Sequence, residues 1–124
     1  MKLYIDTNVY LDYFLDRDKA EHAERIFLET ISCKHQLIVS DHLLAEITNY
    51  ISYESIHLFF KTMAFKLIKV YSTMHDEEIA KDINTHFADA LHIVLAKKGK
   101  ADVIVTRNMT DFKLFFKSKL PEDV

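Results

Sequence analysis

Four carboxylates lie at positions where they could act together on a substrate. Asp6 follows directly on the apolar run Leu3–Ile5. Glu46 and Asp111 each lie a few residues after a later β-type run, and Asp89 lies inside an apolar stretch. Converging carboxylates repel one another unless a cation lies among them, and sites made of oxygen ligands favour Mg²⁺ or Mn²⁺. Since such ions activate water and stabilise charge on phosphate, the pattern predicts metal-assisted phosphodiester hydrolysis.

Asp89 is the most informative of these acids because of its surroundings. The stretch 87–96 is apolar except for Asp89 and His92. A helix that is apolar nearly all round is buried, and a buried carboxylate is costly unless it is paired, hydrogen-bonded or bound to metal. Each acid also has an ordinary interpretation as a helix cap, a half-exposed helix residue or a first-turn acid. The functional interpretation therefore depends on all four acids being brought together.

Short β-type runs alternate with helical stretches along the chain. The predicted strands are 2–5, 36–40, 66–70 and 103–106, and the predicted helices are about 8–15, 19–30, 41–51, 55–64, 76–84, 87–98 and 110–116. Gly99 lies where a helix C-cap is expected. This alternation is typical of a parallel sheet with helices on both faces, in which ligands bind beyond the carboxyl ends of the strands. We therefore predict an α/β fold, a three-layer α/β/α sandwich around a mainly parallel sheet of four to five strands, as one domain over 1–124.

The composition narrows the class of protein. With 124 residues, 49% of them hydrophobic, and only one Gly and one Pro, the chain has enough apolar material for one core and is neither disordered nor a turn-rich sandwich. A single cysteine, Cys33, excludes an internal disulfide. Because the sequence shows neither a signal peptide nor a membrane span, we expect a cytoplasmic protein. The net charge of −3 lacks the basic excess of a tight nucleic-acid binder, but an acid-rich nuclease site makes the total more negative.

Three motifs resemble those of the PIN-domain family. They occur in the family's order as LYIDTNV at 3–9, ADALH at 88–92, and VTRN at 105–108 followed by DF at 111–112. The resemblance covers essentially the whole chain and implies a PIN-like fold. PIN domains are Mg²⁺- or Mn²⁺-dependent ribonucleases, and short members are often VapC-type toxins of bacterial and archaeal toxin–antitoxin pairs. The resemblance thus implies an endoribonuclease that acts as such a toxin.

The resemblance also assigns roles to the acids. Asp6, Glu46 and Asp89 match the three core metal-binding acids of the family. Asp111 matches the more variable fourth acid, which in some members falls nearer the position of Asn108. The four acids are therefore the expected catalytic and metal-ligating residues.

Other residues have supporting roles in this interpretation. Asn8, Thr106 and Asn108 are expected to orient the site through hydrogen bonds. Arg107 and Lys98 are expected to hold the RNA backbone through its phosphates. The family further implies a small antitoxin that reaches toward the acidic groove, and a homodimer. Five phenylalanines could form a surface for either partner, although core positions are more usual: Phe59, Phe60, Phe65, Phe115 and Phe116.

Several alternatives remain open. A phosphatase that is phosphorylated on Asp6 would need a second acid where this chain has Asn8. The chain could be a non-catalytic PIN-like module for RNA binding or assembly, although such modules typically lose an acid, or an RNA-processing nuclease that is not a toxin. Many relatives continue past the last helix with another strand and helix, whereas here Leu120 is expected to form a vestigial edge strand at most.

A zinc site is a further alternative. His86, Asp89 and His92 are spaced by three residues, and His42 precedes Glu46 by four. Such spacings place side chains on one face of a helix. With seven histidines in the chain such spacings arise easily, so the hard-cation site is favoured.

Overall fold

A parallel sheet of five strands forms the centre of the protein in this computed structural model, which describes residues 1–124. The strands are β1 (Lys2–Ile5), β2 (Gln36–Ser40), β3 (Leu67–Val70), β4 (Val103–Val105) and β5 (Ser118–Lys119). Their order is β3-β2-β1-β4-β5, and every pair is parallel. The helices are α1 (Thr7–Phe14), α2 (Ala20–Ile31), α3 (Asp41–Ile47), α4 (Tyr53–Lys61), α5 (Met74–Lys81), α6 (Phe87–Lys98) and α7 (Met109–Phe112), with 3₁₀ turns at Ala64–Lys66 and Pro121–Asp123.

Helices cover both faces of the sheet, as expected for a three-layer sandwich. Alternate strand residues point to opposite faces, so Leu3 and Ile5 belong to one hydrophobic cluster and Tyr4 to the other. The first cluster contains side chains from α1 to α4, and the second contains side chains from α5 to α7. The predicted α/β/α architecture is therefore confirmed, and none of the helices is long and apolar enough to cross a membrane.

The aromatic residues mostly belong to the interior. Phe59 and Phe60 pack with the rings of α1 and α2, and Phe115 and Phe116 pack against the second cluster. Phe65 differs because its side chain is 72% exposed. Of the five phenylalanines considered for a partner surface, Phe65 alone is exposed.

Gly99 ends α6, but it does not take the left-handed conformation that is usual for a glycine at a helix C-terminus. Its φ of −79° is open to any residue, and Lys100, with a φ of 60°, takes the left-handed conformation instead. A Cβ at position 99 would lie 2.6 Å from Cγ2 of Ile38, which is buried in β2. The glycine is thus required by the close approach of the helix end to the sheet.

The end of the chain adds a short edge strand. Ser118 and Lys119 pair with Ile104 and Val105 of β4. The sequence placed the vestigial strand at Leu120, and the structure places it just before that residue. The helix predicted over 110–116 is also shorter, and ends at Phe112.

Candidate active site

The four acids lie at or beyond the carboxyl edge of the sheet. Asp6 follows β1, the central strand, and Glu46 lies on α3, which begins directly after β2. Asp111 lies on α7 after β4, and Asp89 lies in the first turn of α6. From β1 the sheet extends to β2 and β3 on one side and to β4 and β5 on the other. Ligands bind at such a change of direction in strand order.

Asp6 is both a helix cap and a buried carboxylate. Its Oδ1 accepts a hydrogen bond of 2.8 Å from the amide of Thr7, and its Oδ2 accepts one of 3.0 Å from the hydroxyl of Thr106. The residue is 5% exposed. Burial raises the pKa of this carboxyl, and the neighbouring His92 and Thr106 offset the effect only in part. Asp6 is therefore the N-cap of α1 and, at the same time, a buried carboxylate at the predicted site.

Asp89 shares its surroundings with the other acids. Burial raises the pKa of its carboxyl, and the negative charges of Asp6, Asp111 and Glu46 raise it further. Mutual repulsion of this kind requires the carboxylates to be close together. Asp89 thus shares one electrostatic neighbourhood with the other three acids, although no three of the four bring carboxylate oxygens within 4.8 Å of one another.

Asp111 is tied to Asp6 through two residues of the loop after β4. The amide group of Asn108 donates to Oδ2 of Asp111 at 2.6 Å, and the backbone N–H of Asn108 donates to the hydroxyl of Thr106 at 2.9 Å. That same hydroxyl donates to Asp6. Thr106 and Asn108 therefore hold the carboxylates of Asp6 and Asp111 in fixed orientations.

Glu46 accepts hydrogen bonds from two other helices, and a histidine of its own helix lies nearby. Its Oε1 accepts from the hydroxyl of Thr7 at 2.5 Å and from Nε2 of His92 at 2.6 Å, and its Oε2 lies 3.7 Å from Nε2 of His42. Although burial alone would raise the pKa of this carboxyl, these neighbours lower it to about 2. Glu46 is thus an ionised acceptor at neutral pH.

A hydrogen-bonded relay beneath Glu46 fixes the ring of His92. Its Nδ1 lies 2.6 Å from the hydroxyl of Tyr4, which lies 2.8 Å from Oγ of Ser40. Ser40 also accepts from the amide of Leu43 as the N-cap of α3. Since Glu46 is an acceptor, the nitrogen that faces it carries the proton, and Nδ1 accepts from the tyrosine. The relay joins the two helical layers across β1 and β2.

Some expected residues stand apart from this network. Asn8 is exposed, and Thr7 beside it makes the contact to Glu46. Lys98 donates to the carbonyl of Tyr71 at 2.7 Å and to Asp76 at 2.8 Å. It lies about 14 Å along α6 from Asp89 by the helical rise.

Arg107 is also bound within the protein. Its Nε donates to Asp12 at 2.8 Å and its Nη1 to Glu122 at 3.0 Å. Asp12 is 6% exposed, so this pairing satisfies a buried carboxylate. The RNA-binding roles of Arg107 and Lys98 stay predictions, and both residues have a structural role besides.

The histidines that meet in the structure are not grouped as their spacing in the sequence suggested. His42, Glu46 and His92 place their ligand atoms within 4.8 Å of one another. His86 is an exposed residue at the start of α6 and does not belong to this group, and neither does Asp89. Of the two spacings considered for zinc, the i, i+4 pair on α3 is the one that meets His92.

Sequence reasoning did not identify Tyr4, Thr7 or Ser40 as site residues. Tyr4 lies in a buried strand, where an aromatic residue is ordinary. The one available signal was Thr7, which lies between two residues already singled out. Contacts of this kind depend on how α3 and α6 meet above the sheet, and that is not visible in local sequence.

Together these side chains form an anionic cluster with oriented oxygen ligands. Such a cluster fits a divalent cation, because a cation would offset both the burial and the repulsion that raise the pKa of Asp89. An ion held there could in turn bind a phosphate group. The geometry therefore supports chemistry on a phosphate ester.

Comparison with known proteins agrees with this interpretation. A family profile described as the PIN domain matches residues 2–110. The fold is similar to a chain in the crystal structure of VapBC2 from Rickettsia felis bound to a DNA fragment from their promoter, with 15% identity, a TM-score of 0.68, and coverage of 97% of this chain and 98% of that chain. Among curated proteins, none matches the sequence. Since the profile spans most of the chain and includes Asp6, Glu46 and Asp89, the protein belongs to the PIN-domain family.

Proposed function

We propose that this protein is a metal-dependent endoribonuclease that cleaves RNA phosphodiester bonds. The observation that carries the proposal is the placement of the four acids at the carboxyl edge of the sheet, where the charges of Asp6, Glu46 and Asp111 add to burial in raising the pKa of Asp89. Membership of the PIN-domain family supports a nuclease in general. RNA as the substrate follows from the resemblance to PIN-domain ribonucleases.

The donor set fits Mg²⁺ or Mn²⁺. Asp6, Asp89 and Asp111 offer oxygen ligands only, and hard divalent cations prefer such ligands. Bound there, the ion would stabilise the charge that develops on the phosphate and lower the pKa of water. The four acids would hold it, Asp111 either directly or through water.

The chain's own residues prepare this site. Thr106 orients Asp6, Asn108 orients Asp111, and the relay through Tyr4 and His92 keeps Glu46 ionised and fixed. Groups fixed in this way bind a cation without further reorganisation, and outer partners of this kind typically matter 10–100-fold for metal affinity. Cleavage is therefore expected to depend on these partners as well as on the acids.

We further propose that the enzyme is the toxin of a toxin–antitoxin pair, acts in the cytoplasm, forms a homodimer and is inhibited by a small antitoxin protein. The structural similarity to a chain of VapBC2 supports this assignment. A groove between α2 and α4 displays apolar side chains, among them Leu28 at 56% and Leu58 at 63% exposure. An exposed apolar surface of this kind favours a protein partner.

Cleavage of a labelled RNA pool by the purified protein tests the proposed function. We expect cleavage with Mn²⁺ or Mg²⁺, none in EDTA, and loss of activity in Asp6→Asn and Asp89→Asn. Glu78→Gln, which removes an exposed acid from α5, is the matched control and should retain activity. Equal cleavage by the wild type and both aspartate variants would show that the activity does not come from the proposed site.

Inactivity of the wild type with both metals calls for a second measurement. Calorimetric titration with Mn²⁺ then separates an untested RNA target from an inactive module. An absence of Mn²⁺ binding would contradict the four-acid site and favour the non-catalytic RNA-binding or assembly role.

Co-expression with a candidate small antitoxin protein tests the partner. We expect a stable complex that no longer cleaves RNA, and weaker complex formation with Leu28→Asp. A complex unaffected by Leu28→Asp would show that the partner binds elsewhere on the protein.

A further inference from the structure

A second group of metal-ligating side chains adjoins the carboxylates on the side of α3. His42 and Glu46 lie one turn apart on α3, and His92 reaches them from α6. All three ligand atoms lie within 4.8 Å of one another. Two imidazoles with one carboxylate differ in chemistry from the oxygen ligands of the three aspartates.

We propose that His42, Glu46 and His92 form a binding site for a borderline divalent cation, represented by Zn²⁺. Imidazole nitrogen suits Zn²⁺ and related ions, whereas Mg²⁺ prefers oxygen. Three protein ligands leave a fourth position open for water or for an oxygen of the substrate, as in zinc sites that remain accessible. The inference goes beyond RNA cleavage and rests on the proposed function only in that Glu46 is shared by both sites.

The distances suit a tetrahedral ion after small movements. Nε2 of His92 lies 2.6 Å from Oε1 of Glu46, and Nε2 of His42 lies 3.7 Å from Oε2. An ion with bonds of about 2.0–2.1 Å holds its ligand atoms about 3.3 Å apart. The contact of His92 with Oε1 therefore has to open by less than about 1 Å, and a rotation of the carboxylate has to bring one of its oxygens toward both nitrogens. A change in the side-chain torsions of Glu46 provides such movements.

His92 is already oriented as metal-binding histidines are. Its ring is 1% exposed, and its Nδ1 has a fixed partner in the hydroxyl of Tyr4. When Nε2 binds a cation, the ring proton moves to Nδ1 and is donated to the tyrosine oxygen, and the tyrosine hydroxyl then donates to Oγ of Ser40 instead. A second partner of this kind holds the ring and its tautomer in known metal sites. The ring needs no reorientation to bind.

His42 gives the site its access to solvent. Its Nε2 lies 3.0 Å from the carbonyl of Ala88, so binding exchanges that contact for the cation and moves the ring proton to Nδ1. The side chains of His42 and Glu46 are 17% and 29% exposed. The ion can therefore enter from the surface without opening the core.

Calorimetric titration of the EDTA-treated full chain with Zn²⁺ tests the site. We expect one Zn²⁺ to bind, and His42→Ala to weaken it by at least about 100-fold, the upper range for loss of a mere outer partner. His75→Ala, which removes an exposed histidine from α5, is the matched control and should leave the affinity unchanged. Asp89→Asn should also leave Zn²⁺ binding intact, while it weakens Mn²⁺ binding.

Besides an absence of Zn²⁺ binding to the wild type, two titration results would overturn the proposal. One is a Zn²⁺ affinity of His42→Ala equal to that of the wild type, and the other is a loss in Asp89→Asn as large as that in His42→Ala, which would place the ion among the aspartates. Histidine ring ¹⁵N spectra of the wild type provide a test that needs no variant, since Zn²⁺ should shift the signals of His42 and His92. Shifts confined to the other histidines would contradict the site. Because no RNA is present, these results do not depend on whether the protein is a ribonuclease.

Discussion

Neutralising Glu46 should destabilise the metal-free protein, although the residue belongs to a cluster of repelling acids. The pKa of its carboxyl falls from 4.5 to about 2 on folding. At about 1.4 kcal/mol per pH unit, this difference corresponds to about 3 kcal/mol of stability at neutral pH. Because the side chain is 29% exposed, solvent screening reduces the expected loss in Glu46→Gln to about 1.5–3 kcal/mol.

Urea unfolding in EDTA measures this loss. With a slope of about 1–3 kcal/mol per M, the midpoint of Glu46→Gln should be lower by about 1 M. The pKa of Glu46 is lowered in the folded state, so its contribution is present above pH 4.5 and is lost as the pH falls toward about 2. The difference between wild type and variant should therefore shrink as the solution is acidified from pH 4.5.

Asp6→Asn is the matched comparison, and its effect on stability should have the opposite sign. Burial raises the pKa of Asp6 in the folded state, so its ionisation costs stability as the pH rises through the raised value. Asparagine retains the helix cap, and the variant should be at least as stable as the wild type at neutral pH. Equal stability of Glu46→Gln and the wild type, or a difference that does not change with pH, would refute the reasoning about Glu46.

Three further predictions concern neighbouring features. Gly99→Ala should lower stability by about 1–3 kcal/mol in thermal unfolding, because the new Cβ meets Cγ2 of Ile38 at 2.6 Å; an unchanged midpoint would contradict this close approach. Arg107→Ala should lower the free energy of unfolding, measured in urea, by about 3 kcal/mol or more, because it leaves Asp12 buried without its main partner. An unchanged free energy of unfolding would show that this pair does not stabilise the fold. Asn108→Ala should weaken Mn²⁺ binding about 10–100-fold in calorimetry, since it frees the fourth acid; wild-type affinity would show that this acid needs no orientation.

The local sequence determined the elements and the positions of the acids. Asp6 and Ser40 have short polar side chains of the kind that caps a helix, and each lies where a strand gives way to the next helix. In the structure each of them is the N-cap of that helix. The three consecutive β-branched residues of β4 are typical of a strand buried on both faces, and their side chains do belong to the clusters on opposite faces of the sheet. Because parallel strands align their carboxyl ends, these local signals already place the acids at one edge of the sheet.

The ends of the helices were harder to predict from the sequence. The helix predicted over 41–51 ends at Ile47, and the one predicted from 55 begins at Tyr53. At Gly99 the position of the helix end was right, but the reason lies in the distance to Ile38 on β2. Such limits depend on contacts with other elements and not on the residues of the helix itself.

The sequence by itself therefore determined the fold class and the set of acids, because strand alternation, helix periodicity and capping are properties of neighbouring residues. Only the tertiary structure decided that His92, and not His86 or Asp89, meets His42 and Glu46. It also decided that Arg107 and Lys98 are paired within the protein. His92 meets His42 and Glu46 because α6 packs beside α3, whereas Lys98 pairs with α5 and Arg107 with α1. All these partners come from elements far apart in the chain, so their meeting depends on a packing geometry that no local pattern contains.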